Sequence, residues 1–119
     1  MSQFVVRLKL PYPPSANSLW KYSGRSGVYR SPRYMQWLTA AGWEIKAQKP
    51  GHIRGNYFLR VDVERKDRRR RDIDNLIKSV SDALVQNGVV TDDSLAERIT
   101  IGWSDKVSGC RVTVRELAA

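Results

Sequence analysis

The stretch RRRRDIDN, Arg68 to Asn75, sets four arginines directly before two aspartates spaced two apart. Arginine attracts phosphate and aspartate repels it, so the two types must do different work. Two carboxylates held a few ångströms apart repel each other, and one tends to protonate. A divalent cation removes that penalty. Magnesium suits the position, because it is held by one or two carboxylates while keeping several waters and a substrate phosphate. Such an ion polarises a phosphodiester and generates hydroxide near neutral pH. If the chain is extended at Asp72, side chains two apart point the same way, and Asp72 and Asp74 face one point. The alternative is structural: Asp72 caps a helix and Asp74 is a first-turn acid favoured by the helix dipole.

Two more residues bear on that choice. Lys78 lies four after Asp74 on the same helical face, where it can hold a phosphate or stabilise charge on a leaving oxygen. Its ordinary role would be a surface ion pair with Asp74. Asp92 and Asp93 add carboxylates further on; turn and cap chemistry accounts for Asp92. A helix over 73–87 is about 22 Å long, and the chain from Gly88 to Asp93 spans at most about 20 Å. Asp93 therefore returns to the helix start only if the connection runs nearly straight back; otherwise it serves a second subunit.

The elements that must position these groups follow from the rest of the chain. With 119 residues this is a single domain spanning residues 1–119, large enough for a core without staples. One cysteine, Cys110, cannot form an internal disulfide. No apolar run approaches a membrane span and no leader is visible, so the expected location is cytoplasmic and no membrane is expected as partner. The net charge of +9 favours a polyanion, most often nucleic acid. The excess is clustered: Arg65 to Arg71, RKDRRRR, holds six cations and one acid. Arg68, Arg69, Arg70 and Arg71, with Lys66, are candidates to track a phosphate backbone without reading its sequence.

Strands are expected over 3–10, 56–64, 98–104 and 110–116, from alternation and β-rich composition. The last two read as a hairpin joined across DKVSG. The prolines of PYPPSAN exclude a helix there. Residues 21–30 read as a loop. Ser31-Pro32 opens a helix near 31–47, with Tyr34, Leu38, Ala41 and Ile45 on one face. A second helix near 73–87 carries Ile73, Leu76, Ile77, Val80, Ala83 and Leu84 and stops at Asn87-Gly88. The order is β-α-β-α-β-β: an α+β fold with a mixed sheet packed against two main helices.

RRRRDIDNLIKSVSDALVQNGVVTDDS and the earlier PPSANSLW closely resemble motifs of the RusA family of Holliday junction resolvases, and the resemblance covers nearly the whole chain. It implies an α+β endodeoxyribonuclease acting as a homodimer, which cuts four-way DNA junctions by two symmetric nicks with Mg²⁺ or Mn²⁺. It carries the essential acids over to Asp72, Asp74 and Asp93, as metal ligands, and the essential lysine to Lys78. Asn75 and Asp82 also match; structural work is expected of them, Asp82 on the exposed helix side. A C2 dimer presents two identical sites to a substrate of matching symmetry.

The stretch 21–30 is less clearly matched. Trp20, Tyr22 and Tyr29 lie among Lys21, Arg25 and Arg30; such groups can stack on unpaired bases while the cations hold phosphates. Core packing is the alternative for Trp20. Trp37 and Trp43 are expected in the core or a dimer interface, Trp103 within the C-terminal hairpin, and His52 in a non-catalytic loop. Two rival functions remain: a basic nucleic-acid-binding module whose aspartates only cap, and a nuclease preferring flaps or forks.

Overall fold

The computed structural model describes residues 4–24, 27–67 and 72–117. The elements are β1 (Val5–Leu10), β2 (Trp20–Ser23), β3 (Gly27–Arg30), α1 (Pro32–Gln48), β4 (Tyr57–Glu64), α2 (Ile77–Gln86), β5 (Ala96–Ser104) and β6 (Cys110–Glu116). Short 3₁₀ turns at Ala16–Ser18, Ile73–Leu76 and Asp93–Leu95 precede β2, α2 and β5. A four-stranded mixed sheet has the order β1-β6-β4-β5. Its β1–β6 and β6–β4 pairs are antiparallel and its β4–β5 pair is parallel, joined through α2.

Alternation decides which face of the sheet is buried. Val6, Leu8 and Leu10 of β1, Tyr57, Leu59, Val61 and Val63 of β4, and Cys110, Val112 and Val114 of β6 point into one core. Tyr34, Trp37, Leu38, Ala41 and Ile45 of α1 meet them there, with Val80, Ala83 and Leu84 of α2. The start of α1 is fixed as the sequence suggests. The Ser31 hydroxyl accepts from the Tyr34 amide at 3.1 Å and Pro32 takes the first helical position. Trp37 is core, whereas Trp43 is 70% exposed.

Three expectations need correction. Residues 21–30 do not form a plain loop: β2 and β3 make a separate two-stranded antiparallel ribbon, with Trp20 opposite Arg30 and Lys21 opposite Tyr29. The segment is short and its β3 residues are exposed on both sides, so it lacks the one-sided alternation that marks a strand. Strands β5 and β6 are not a hairpin, because β4 lies between them. DKVSG bridges over the end of β4 instead: Arg65 N donates to Ser104 O at 3.0 Å and Glu64 N to Gly109 O at 2.9 Å. Gly109, at φ 69°, lies so close to β1 that a Cβ would stand 2.5 Å from Leu10 O. The third correction concerns the second helix, whose α-helical part starts at Ile77 after a 3₁₀ turn rather than at Ile73.

Candidate active site

The segment before β2 forms one wall of the site, and side-chain donors hold it in place. Prolines keep it extended and leave its carbonyls without strand partners. Trp37 Nε1 donates to Pro11 O at 3.2 Å, buried Ser79 Oγ to Pro14 O at 3.1 Å, and Ser31 Oγ to Ser18 O at 2.7 Å. Both helices are thereby tied to the segment 11–18. Between that segment and the start of α2 lies an open cleft of about 290 Å³, lined by Tyr12, Asn17, Arg33, Asp72 and Asn75 among others.

Asp72 stands at the cleft in an extended conformation, φ −83° and ψ 102°. Its carbonyl accepts from the Asn75 amide at 3.2 Å, but its side chain makes no capping hydrogen bond. The capping role open to this residue is therefore not used, and its exposed carboxylate remains available to a ligand. The bond to the Asp72 carbonyl uses only the backbone of Asn75, which itself lines the cleft. Asp74 is also exposed, but lies within the 3₁₀ turn Ile73–Leu76. Three residues per turn cancel the extended geometry that would aim Asp72 and Asp74 together, and Asp74 is not on the cleft wall.

Asp93 comes to the start of α2 within the same chain, its Oδ2 lying 3.8 Å from Lys78 Nζ. The later start of the helix makes this possible: from Ile77 to Gln86 it is about 15 Å long, well within the reach of the return. The turn that carries Asp93 is anchored at both sides. Asp92 caps it, accepting from Ser94 N at 3.4 Å as expected for that residue, and these hydrogen bonds from Ser94 lower its carboxyl pKa. The Tyr57 hydroxyl reaches Asp92 O at 3.5 Å; burial, then the charges of Asp93 and Asp92, raise its pKa. His52 bonds Gly88 O and Thr91 Oγ1 behind it, a structural role.

Lys78 does not pair with Asp74. Its ammonium lies 3.0 Å from Asp82 Oδ1, one turn further along α2, and reaches Asp93 on its other side. The hydrogen bond it donates to Asp82 is the main cause of its raised pKa. Asp82 is thus not on an exposed side: its side chain is 18% exposed and also accepts from the Tyr34 hydroxyl. Burial first, then this hydrogen bond, raises the Tyr34 pKa and keeps the phenol neutral. The sequence held a signal for Asp82 in its i,i+4 spacing from Lys78. Arg33, which also lines the cleft, was marked only by its place in the first turn of α1.

Of the cationic candidates, Lys66 sits over the Tyr12 ring, 4.0 Å from its centroid, in a pocket that shares Tyr12, Pro13, Pro14 and Arg33 with the cleft. Arg30, at the base of the ribbon, lies 5.6 Å from the Tyr34 ring centroid, beside the Lys78–Asp82 pair. Lys21 is exposed on β2. Arg25 and Arg68, Arg69, Arg70 and Arg71 lie outside the described residues. Among the described residues, no three Asp, Glu, His or Cys side chains are grouped closely enough to hold one ion. The donor chemistry nevertheless suits a hard cation: among the described residues Asp72 and Asp74 offer exposed oxygens without side-chain partners, and Asp93 is half-exposed.

Exposed carboxylates and a doubly paired lysine, flanked by cationic side chains on a small mixed α+β domain, define a class of site suited to handling phosphodiesters. Comparison with known proteins narrows the class. The family described as Endodeoxyribonuclease RusA matches residues 11–115, and the chain belongs to that family. A crossover junction endodeoxyribonuclease RusA of Aquifex aeolicus (strain VF5) is 36% identical over 89 residues, 73% of this chain and 68% of the relative. The crossover junction endodeoxyribonuclease rusA of Enterobacteria phage HK97 is 31% identical over 107 residues, 89% of this chain and 88% of its own. That of Escherichia coli (strain K12) is 34% identical over 94 residues, 73% and 72% of the two chains. Among the described residues, no helix is long and apolar enough to cross a membrane.

Proposed function

We propose that this protein is a metal-dependent, structure-selective endodeoxyribonuclease that resolves four-way DNA junctions by paired symmetric nicks and acts as a homodimer. The observation that carries the reading is the convergence of Asp93, 15 residues after Lys78 in sequence, upon that lysine, next to the turn bearing the uncapped Asp72 and the exposed Asp74. Capping and turn formation alone require no such convergence. The relatives' names, crossover junction endodeoxyribonuclease, support the substrate and the reaction class.

Asp72, Asp74 and Asp93 would hold Mg²⁺, with Mn²⁺ as a substitute. Bound there, the ion supplies Lewis-acid polarisation of the phosphodiester and an activated water. The protein's own groups bind and orient the DNA. Lys78, held by Asp82, presents its ammonium to the scissile phosphate or to charge developing on the leaving oxygen. Lys66 and the run Arg68, Arg69, Arg70 and Arg71 neutralise backbone phosphates, and Lys21, Arg25 and Arg30 add to that contact. The exposed strip Met35, Thr39 and Trp43 on α1 is where we place the second copy, so that two equivalent sites meet a two-fold substrate.

The test is cleavage of four-way, three-way, flap and linear duplex DNA side by side with Mg²⁺ or Mn²⁺. Paired nicks concentrated on the four-way junction are expected. Preference for flaps or forks would replace junction resolution with a different nuclease role. Binding without cleavage of any substrate would leave a DNA-binding module.

A further inference from the structure

The sheet face opposite the helices is cationic, and nothing in the site described above uses it. Alternation puts Arg7 and Lys9 of β1, Arg60 of β4, Arg98 of β5, and Arg111 and Arg115 of β6 on that face, all of them exposed. The register sets Lys9 directly opposite Arg111. It also aligns Arg7, Thr113 and Arg60 in one row, and Arg115, Phe58 and Arg98 in the next.

Two acids share the face, and both are engaged. Asp62 Oδ2 lies 3.3 Å from Arg60 Nε and 3.6 Å from Arg111 Nε. Glu64, at the margin, accepts from Gly109 N at 2.8 Å. Among the described residues, Arg7, Lys9, Arg98 and Arg115 have no carboxylate partner. Like charges placed opposite each other weaken a sheet, and neutral β-formers at these exposed sites would leave the core untouched. A polyanion lying over the face offsets that repulsion. A second copy of the chain would increase it, since it would bring the same cations.

The face also leads to the cleft. β1 and β4 are each antiparallel to β6, so Leu10 and Glu64 end at the same edge of the sheet. Just beyond that edge Tyr12 and Lys66 stack, and Tyr12 lines the cleft together with Arg33 and Asp72. We propose that the open face of the sheet is a second DNA-contact surface, which binds the phosphate backbone of a duplex arm while the cleft engages the strand to be cut. This rests on the reading of the protein as a DNA nuclease. Cations recur about 6.7 Å apart along a strand, and four strands span about 14 Å, giving a broad, flat surface that recognises backbone and not sequence.

The test compares the wild type with the triple variant Arg7→Gln/Lys9→Gln/Arg115→Gln, and with the control pair Lys46→Gln/Arg54→Gln, which neutralises exposed cations elsewhere. Binding to a four-way junction is titrated in EDTA over a range of salt, and circular dichroism melts establish that each variant is folded. The slope of log K against log salt is expected to fall by about 2.7 per subunit in the triple variant, about 5.4 for the dimer, at about 0.9 per lost phosphate contact. The control pair should keep both the wild-type slope and the wild-type rate of single-turnover cleavage. An unchanged slope in the triple variant, an equal fall in the control pair, or a changed oligomeric state without a changed slope overturns the proposal while leaving the nuclease reading intact. A wild type that binds no DNA overturns both.

Discussion

Asp82→Asn isolates the carboxylate that organises Lys78. The amide keeps the shape and can still accept from the Tyr34 hydroxyl, but the charge facing the ammonium is gone. Asp82 is 18% exposed and Lys78 51%, so the pair is neither sealed from water nor fully solvated. A hydrogen bond to a charged group is worth about 1.5–3 kcal/mol; screening at the exposed lysine reduces that to about 1 kcal/mol. For a domain of this size the melting temperature should drop by about 3–6 °C. The folded pKa of Lys78 is raised above its ordinary 10.5, so its contribution is complete below that pH and is lost as pH rises through the folded value. The deficit of the variant should therefore be constant from about pH 6 to pH 9 and shrink only in stronger alkali. In the variant, Asp93 at 3.8 Å becomes the remaining carboxylate partner of Lys78. The lysine then competes for the acid assigned to the metal, and cleavage should fall by about ten-fold, equivalent to about 1.4 kcal/mol, with junction binding nearly unchanged. Melts at several pH values and single-turnover cleavage measure both effects. A variant that melts and cuts like the wild type would refute the idea that Asp82 holds Lys78 in its working position.

Gly109→Ala forces an L side chain to φ 69° with its Cβ 2.5 Å from Leu10 O. The left-handed backbone alone costs about 1–2 kcal/mol, so a denaturant melt should show at least that loss, whereas an unchanged midpoint would mean that β1 yields freely. Ser31→Ala removes both the cap of α1 and the buried bond to Ser18 O. About 1–2 kcal/mol of destabilisation is expected by urea titration. Burial pushes the Cys110 thiol up to about 12 from its ordinary 9.0; it should resist a thiol reagent at pH 8 until the protein unfolds. Because the unfolded thiol ionises first, stability should also decline as pH climbs above 9.0.

Local signals in the sequence were enough to define α1, since Ser31-Pro32 is a cap and Tyr34, Leu38, Ala41 and Ile45 form one stripe, all buried. They also sufficed for β4, whose alternation carries Tyr57, Leu59, Val61 and Val63 inward. What they do not contain is pairing. DKVSG has the composition of a turn whether its flanking strands pair with each other or straddle β4, and the choice depends on residues some 45 positions away. The β2–β3 ribbon escaped notice because its β3 residues are exposed on both faces and show no buried alternation. At the site, Asp72, Asp74 and Lys78 were legible as a spacing. The placement of Asp93 depended on the start of α2, which apolar periodicity does not fix, because Ile73 and Leu76 suit a 3₁₀ turn as well as an α-turn. Asp82 looked solvent-facing because the buried phenol of Tyr34, which meets it, comes from 48 residues earlier.

The central claim is that the carboxylates at the start of α2 convert a DNA-binding surface into a cutting one, and Asp74→Asn tests it most directly. On a synthetic mobile four-way junction, the variant should bind as tightly as the wild type or more tightly, since a negative charge is gone. Its cleavage with Mg²⁺ should fall by roughly 100-fold or more. Cleavage at the wild-type rate, or binding lost in step with cleavage, would contradict the account.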